Sequence, residues 1–184
     1  LRKLLQNNPP PKQIMKSSFA SFSALLAILA IACSQAHSSE ASSPLSDLIA
    51  GPLLDSKGKE VDKKVLEGKT VGLYFSAHWC PPCRTFTPNL VKFRDSNKKD
   101  FEVVFISSDR DSKAQLNYMK ETKMKWYTLP HRSEHANALA KKFEVRGIPA
   151  LIIVSKDGTT ITKNGRGDVS SNPKGALKKW EKSS

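Results

Sequence analysis

The sequence predicts an α/β domain in which a central mixed β-sheet carries helices on both faces. Three apolar runs, Val71-Gly72-Leu73-Tyr74-Phe75, Val103-Val104-Phe105-Ile106 and Leu151-Ile152-Ile153-Val154, are unbroken by polar residues, as expected of strands covered from both sides. Helix-period patterns separate these runs. A strong turn signal, Lys156-Asp157-Gly158-Thr159, follows the third run and closes a hairpin, so the sheet cannot be wholly parallel. With 184 residues and 39 % apolar content, the chain has material for one domain of ordinary size plus a short extension.

Residues 1–14, interrupted by Pro9-Pro10-Pro11, read as a leader or upstream segment outside the fold. From Met15 the pattern becomes Lys16, then the apolar run 24–32, then small residues ending in Ser34-Gln35-Ala36. These are the three parts of a secretory signal peptide over residues 15–36, cut after Ala36. The expected location is therefore secreted or periplasmic. Nine apolar residues fall well short of the roughly 20 that span a bilayer, so no stable membrane span is expected. The alternative is a lipid anchor on Cys33, although Leu29 lies one place too early for the usual lipoprotein pattern. Residues 37–49 read as a Ser-rich linker, and 50–184 as the folded domain.

Within that domain the helical patterns justify themselves by spacing. Phe86, Leu90 and Phe93 recur at four and three residues and share one helix face. Residues 112–121 and 133–143 suggest two further helices, with Leu116 and Met119, then Leu139 and Phe143, turned inward. Residues 159–163 form the return strand of the hairpin. Asn172 followed by Pro173 reads as an N-cap with proline in the first turn of a last helix running to Lys182. The order is strand, helix, strand, helix, helix, strand, strand, helix.

The formal charge of +13 bears on partners rather than on fold. Its lysines fall in scattered pairs (63–64, 98–99, 141–142, 178–179) without interleaved aromatic residues. That is a solvated basic surface, and no nucleic-acid partner is expected.

Of the 3 cysteines, Cys33 would leave with the signal peptide, and Cys80 and Cys83 form the one close pair. Three residues apart on a helix, their Cα atoms would lie roughly 5 Å apart, within the range that a disulfide accepts. The strand ending near Ser76 and the helix opening near Pro81 put Cys80 at a helix N-terminus, where free N–H groups and the dipole favour a thiolate. Cys80 is then the attacking sulfur and Cys83, one turn deeper, resolves the mixed disulfide. Haem attachment would need a His in place of Arg84. His131 and His135 have zinc-ligand spacing, but they stand much farther from Cys83 than the about 12–15 residues of a finger, so no metal is expected.

The stretch Tyr74-Phe75-Ser76-Ala77-His78-Trp79-Cys80-Pro81-Pro82-Cys83-Arg84-Thr85-Phe86-Thr87-Pro88 resembles the tryparedoxin and nucleoredoxin branch of the thioredoxin superfamily. The likeness continues through Phe105-Ile106-Ser107-Ser108-Asp109, Trp126-Tyr127-Thr128-Leu129-Pro130 and Phe143-Glu144-Val145-Arg146-Gly147-Ile148-Pro149, and covers about residues 50–182. It implies a thioredoxin fold. It further implies that Trp79 shields the dithiol and helps to dock substrate, and that Pro149 follows a cis bond beside Cys80, with the Ile148 backbone free to pair with an extended substrate. Many thioredoxins carry a buried Asp six residues before the first Cys. Here Tyr74 holds that place, as in tryparedoxins, and Asp109 becomes the first candidate for proton transfer; its other reading is an N-cap. Ser108 replaces a tryparedoxin Trp. Since family members are commonly cytosolic, the signal peptide would make this an exported variant.

The expected activity is reduction or exchange of protein or small-molecule disulfides by a monomer, with an external electron donor and no cofactor beyond the Cys80–Cys83 disulfide. The same atoms serve an oxidant of exported proteins. From another class comes a non-catalytic binding module, or a zinc-tied domain. A peroxidase is disfavoured because no separate peroxide-reactive Cys is visible.

Overall fold

The computed structural model describes residues 44–183. Strand β3 (Thr70–Ser76) lies inside a seven-stranded mixed sheet, next to its central strand. It pairs in parallel with β4 (Phe101–Ser107) and antiparallel with β6 (Ala150–Val154). Beyond β4, the two-residue β5 (Tyr127–Thr128) pairs in parallel, then β1 (Leu53–Leu54) and β2 (Glu60–Val61) continue antiparallel; beyond β6, β7 (Thr160–Thr162) closes the hairpin. All seven residues of both β3 and β4 are buried, as their apolar runs required.

Alternation along these strands divides the core in two. Tyr74, Phe101, Val103, Phe105, Leu151 and Ile153 face one side, covered by α2 (Pro81–Asn97), α3 (Ser112–Glu121), α5 (Gly165–Ser171) and α6 (Ala176–Glu181). Val71, Leu73, Phe75, Val104, Ile106, Ile152 and Val154 face the other, covered by α1 (Pro44–Leu48), a 3-10 turn (Lys63–Leu66) and α4 (Glu134–Lys142). Gly72 is needed at the centre of β3. A Cβ there would stand 2.9 Å from the Phe101 ring and 3.0 Å from Leu151.

Expected spacings place the helices well. Phe86, Leu90 and Phe93 are the buried face of α2; Met119 is buried and Leu116 partly so; Leu139 and Phe143 lie in the second core. Ser133 caps α4 by accepting from Ala136 N–H (3.2 Å). Two ion-paired contacts tie elements together. Arg94 on α2 donates twice to the buried Glu102 carboxylate on β4 (2.8 and 2.6 Å). Asp168 on α5 accepts from Lys179 Nζ (2.8 Å) and Trp180 Nε1 (2.9 Å) on α6.

Several elements differ from expectation. Residues 44–48, read as the end of a linker, form α1, because Leu45 and Ile49 bury one helix face against the second core. Asn172 does not open the last helix; it ends α5, which the sequence reading missed. A residue before proline is disfavoured in helix, and Asn172 lies outside the helical region (φ −145°, ψ 70°). The last helix restarts only at Ala176, with Gly175 as its cap. The short strands β1, β2 and β5 also went unread, since two residues cannot display a period.

The proposed leader, signal peptide and Cys33 lie outside the described residues. Among the described residues no helix is long and apolar enough to cross a membrane.

Candidate active site

Cys80 is the N-cap of α2, and Pro81 and Pro82 occupy its first two positions, where a missing N–H costs nothing. The first amide able to serve the cap is that of Cys83, which donates to Cys80 Sγ at 3.3 Å. The two sulfurs are joined in a disulfide with Cα atoms 5.2 Å apart, the separation that one helical turn imposes. Cys80 keeps 4 % of its surface exposed and Cys83 none.

Two other segments reach the pair. The Ile148–Pro149 peptide bond is cis, and the Ile148 carbonyl lies 3.7 Å from Cys80 Sγ. Trp79, 63 % exposed, is the exposed large hydrophobic side chain next to the disulfide, and its Nε1–H donates to the Ser108 carbonyl (2.9 Å). Trp79 and Ile148 stand over a cleft of about 270 Å³ floored by Phe75, Ile106 and Ala140 and edged by Arg146.

Tyr74 belongs to a buried cluster of hydroxyls behind Cys83. Thr87 Oγ1 donates to the Cys83 carbonyl (2.8 Å) and lies 2.8 Å from Tyr74 OH and 2.7 Å from Tyr118 OH. A threonine hydroxyl has one proton and two lone pairs, so both phenols must donate to Thr87. Ser76 Oγ, 3.3 Å from Tyr118 OH, completes the set. Burial pushes the Tyr74 phenol well above its ordinary range, which makes it a hydrogen-bond donor at neutral pH and unfit as a base. Thr87 and Tyr118 were missed in the sequence. Thr87 carried a recoverable signal, lying four residues after Cys83 and thus on its helix face.

Asp109 lies beneath the turn that carries Trp79. Its Oδ1 accepts from His78 N–H (2.8 Å) and its Oδ2 from Ser107 Oγ–H (2.7 Å). It caps no helix: Asp111 caps α3, accepting from Ala114 N–H at 2.8 Å. His131, weighed as a zinc ligand, instead places Nε2 2.7 Å from the Asp109 carbonyl, and among the described residues no group of three or more metal-ligating side chains converges.

A family model described as thioredoxin-like matches residues 68–160. Nucleoredoxin of Danio rerio is 38 % identical over 142 residues, covering 74 % of this chain and 33 % of that protein. Nucleoredoxin of Bos taurus is 41 % identical over 131 residues, covering 68 % and 29 %. The chain thus spans about a third or less of the length of these relatives. Among solved structures, tryparedoxin from Trypanosoma brucei aligns with a TM-score of 0.67 at 41 % identity, over 76 % of this chain and 99 % of that one. Thioredoxin from Wuchereria bancrofti aligns with a TM-score of 0.63 at 42 % identity, over 74 % and 98 %. These relatives correct one expectation. Nucleoredoxins at about 40 % identity, and tryparedoxins, are generally intracellular, which conflicts with the secreted or periplasmic location, and its lipid-anchored alternative, read from residues 15–36. The family model over residues 68–160, and relatives about 40 % identical over more than two thirds of this chain, establish the family: the chain belongs to the thioredoxin-like family of thiol-disulfide oxidoreductases.

Proposed function

We propose that the protein reduces or exchanges disulfides of protein substrates through a mixed disulfide on Cys80 that Cys83 resolves. In the reduced protein, the Cys80 thiolate attacks one sulfur of the substrate disulfide, forming the Cys80–substrate bond and releasing the other sulfur as a thiolate. Cys83, having lost its proton, then attacks Cys80 Sγ. The Cys80–Cys83 disulfide forms, the second substrate thiol leaves, and two electrons have passed to substrate. An external dithiol donor returns the pair to the reduced state.

The observation that carries this reading is the inequality of the two sulfurs. Cys80 caps α2, where its charged form is favoured, and is the one with surface left exposed, whereas Cys83 is fully buried one turn away. Trp79 and the Ile148–Pro149 segment flank the exposed side and supply an apolar face for a substrate.

Alkylation of the reduced protein against pH is expected to show Cys80 titrating below the ordinary thiol value of about 8.5. Recharged by a dithiol, the protein should reduce an insulin-like disulfide, Cys80→Ser should abolish that reduction, and Cys83→Ser should accumulate the mixed disulfide. Full activity in Cys80→Ser would end the proposal. Equilibration with a glutathione buffer then fixes the direction, reductant or oxidant, from the reduction potential.

A further inference from the structure

Two strands end side by side just before the dithiol. β3 ends at Ser76 and leads through Ala77, His78 and Trp79 to Cys80; its parallel neighbour β4 ends at Ser107 and leads to Ser108 and Asp109. Beyond the last ladder pair, Ser76↔Ser107, the chains remain stitched. Ser108 N–H donates to the Ser76 carbonyl (2.9 Å), Trp79 Nε1–H donates to the Ser108 carbonyl (2.9 Å), and His78 N–H donates to the Asp109 carboxylate (2.8 Å). The turn itself closes with Cys80 N–H donating to the Ala77 carbonyl (3.2 Å).

Of these acceptors, only the Asp109 carboxylate is a side chain. Asp109 is 1 % exposed, and both its side chain and its backbone are held. Ser107 Oγ–H donates to Oδ2 (2.7 Å), Asp109 N–H donates back to Ser107 Oγ (2.9 Å), and His131 Nε2 meets the Asp109 carbonyl at 2.7 Å. A carboxylate so engaged has one oxygen occupied by the turn and the other by Ser107. It is built as an anchor for the peptide plane two residues before Cys80.

We propose that Asp109 is a positioning residue: through the His78 amide it holds the turn that presents Trp79 and Cys80 to substrate. This rests on the exchange reaction proposed above and replaces proton transfer as the role of Asp109. A part-buried N–H left without its acceptor turns toward water and loosens the turn, and small misplacement of a reacting group is costly, up to about a hundredfold per ångström.

Three variants of the full chain separate position from charge. Asp109→Ala removes both the charge and the acceptor, Asp109→Asn removes the charge and keeps an oxygen for His78 N–H, and Ser107→Ala keeps the carboxylate but frees Oδ2. The expected results for Asp109→Ala are faster hydrogen exchange at the His78 amide, easier quenching of Trp79 fluorescence, and disulfide exchange slowed by about tenfold. Asp109→Asn should recover most of each loss, with Ser107→Ala falling between. Equal impairment of Asp109→Asn and Asp109→Ala, with the alkylation midpoint moved alike in both, would mean that the carboxylate acts by charge and would overturn the proposal. So would an unchanged His78 amide in Asp109→Ala. Amide exchange and quenching need no activity, so a wild-type protein that fails to exchange disulfides would defeat the functional reading and still leave the anchor to be judged. Should Asp109→Ala fail to fold, the comparison of Asp109→Asn with Ser107→Ala decides.

Discussion

At the scale of single residues, the site depends on small polar groups saturated by one another. Thr87 is the clearest case. Its one proton goes to the Cys83 carbonyl, and its lone pairs receive Tyr74 and Tyr118, all inside a core with no exposure. Thr87→Val keeps the shape and deletes the acceptor, leaving two buried phenols to find partners. The expected cost is about 1–3 kcal/mol, seen as a lower denaturant midpoint at unchanged slope, and Thr87→Ser should restore it. A Thr87→Val protein as stable as wild type would show that Ser76 suffices for Tyr118. Cys80, Cys83 and their place at the start of α2 were legible because they depend on a spacing of three residues and on a helix start. The partners Tyr118 and Ser107 were not, since single hydroxyls announce nothing until the fold surrounds them, and Thr87 showed only its place on the helix face of Cys83.

At the scale of elements, the joint between α5 and α6 makes a prediction about pH. Burial alone would raise the Asp168 carboxyl, but hydrogen bonds from Lys179 and Trp180, with the Lys179 charge, hold it below its ordinary value of 3.8. A carboxyl depressed in the folded state adds stability that is fully present above its unfolded value and is lost as pH falls through the folded one. Asp168→Asn should therefore be less stable than wild type by about 1 kcal/mol near pH 6, and the gap should close below about pH 4. Denaturant unfolding of both proteins at pH 6 and pH 3 checks this. A gap that is constant in pH would assign the effect to packing. This joint was hidden in the sequence, where residues 164–175 offered glycines, two asparagines and a proline but no apolar period. Long elements such as α2 and β3 were readable because their periods repeat, and two-residue strands such as β5 have nothing to repeat.

At the scale of the whole fold, the described residues form one sheet with a core on each face, and β3 contributes to both, Leu73 to the α4 side and Tyr74 to the α2 side. The two cores should accordingly unfold together. Leu73→Ala, a cavity in the α4-side core, is expected to cost about 2–5 kcal/mol. The same shift should appear in far-ultraviolet circular dichroism and in the fluorescence of Trp126 and Trp180, which lie on the opposite face of the sheet. Fluorescence transitions left in place while the dichroism transition moves would mean that the faces are separate units. The sheet also explains why the site stands where it does. β3 and β4 run parallel and end together, so their exits, and the cis Ile148–Pro149 segment entering antiparallel β6, converge at one end, where α2 begins.

The sequence by itself determined the strands of the sheet's middle, the buried face of α2 and the pair of thiols one turn apart, because each follows from a short repeat or from neighbouring positions in the chain. Only the tertiary structure decided that Asp109 meets His78, that Trp79 is tied to Ser108, and that Asn172 ends a helix. Such contacts join residues whose separation along the chain is arbitrary, and their free energy exists only after the sheet has brought them within hydrogen-bonding distance.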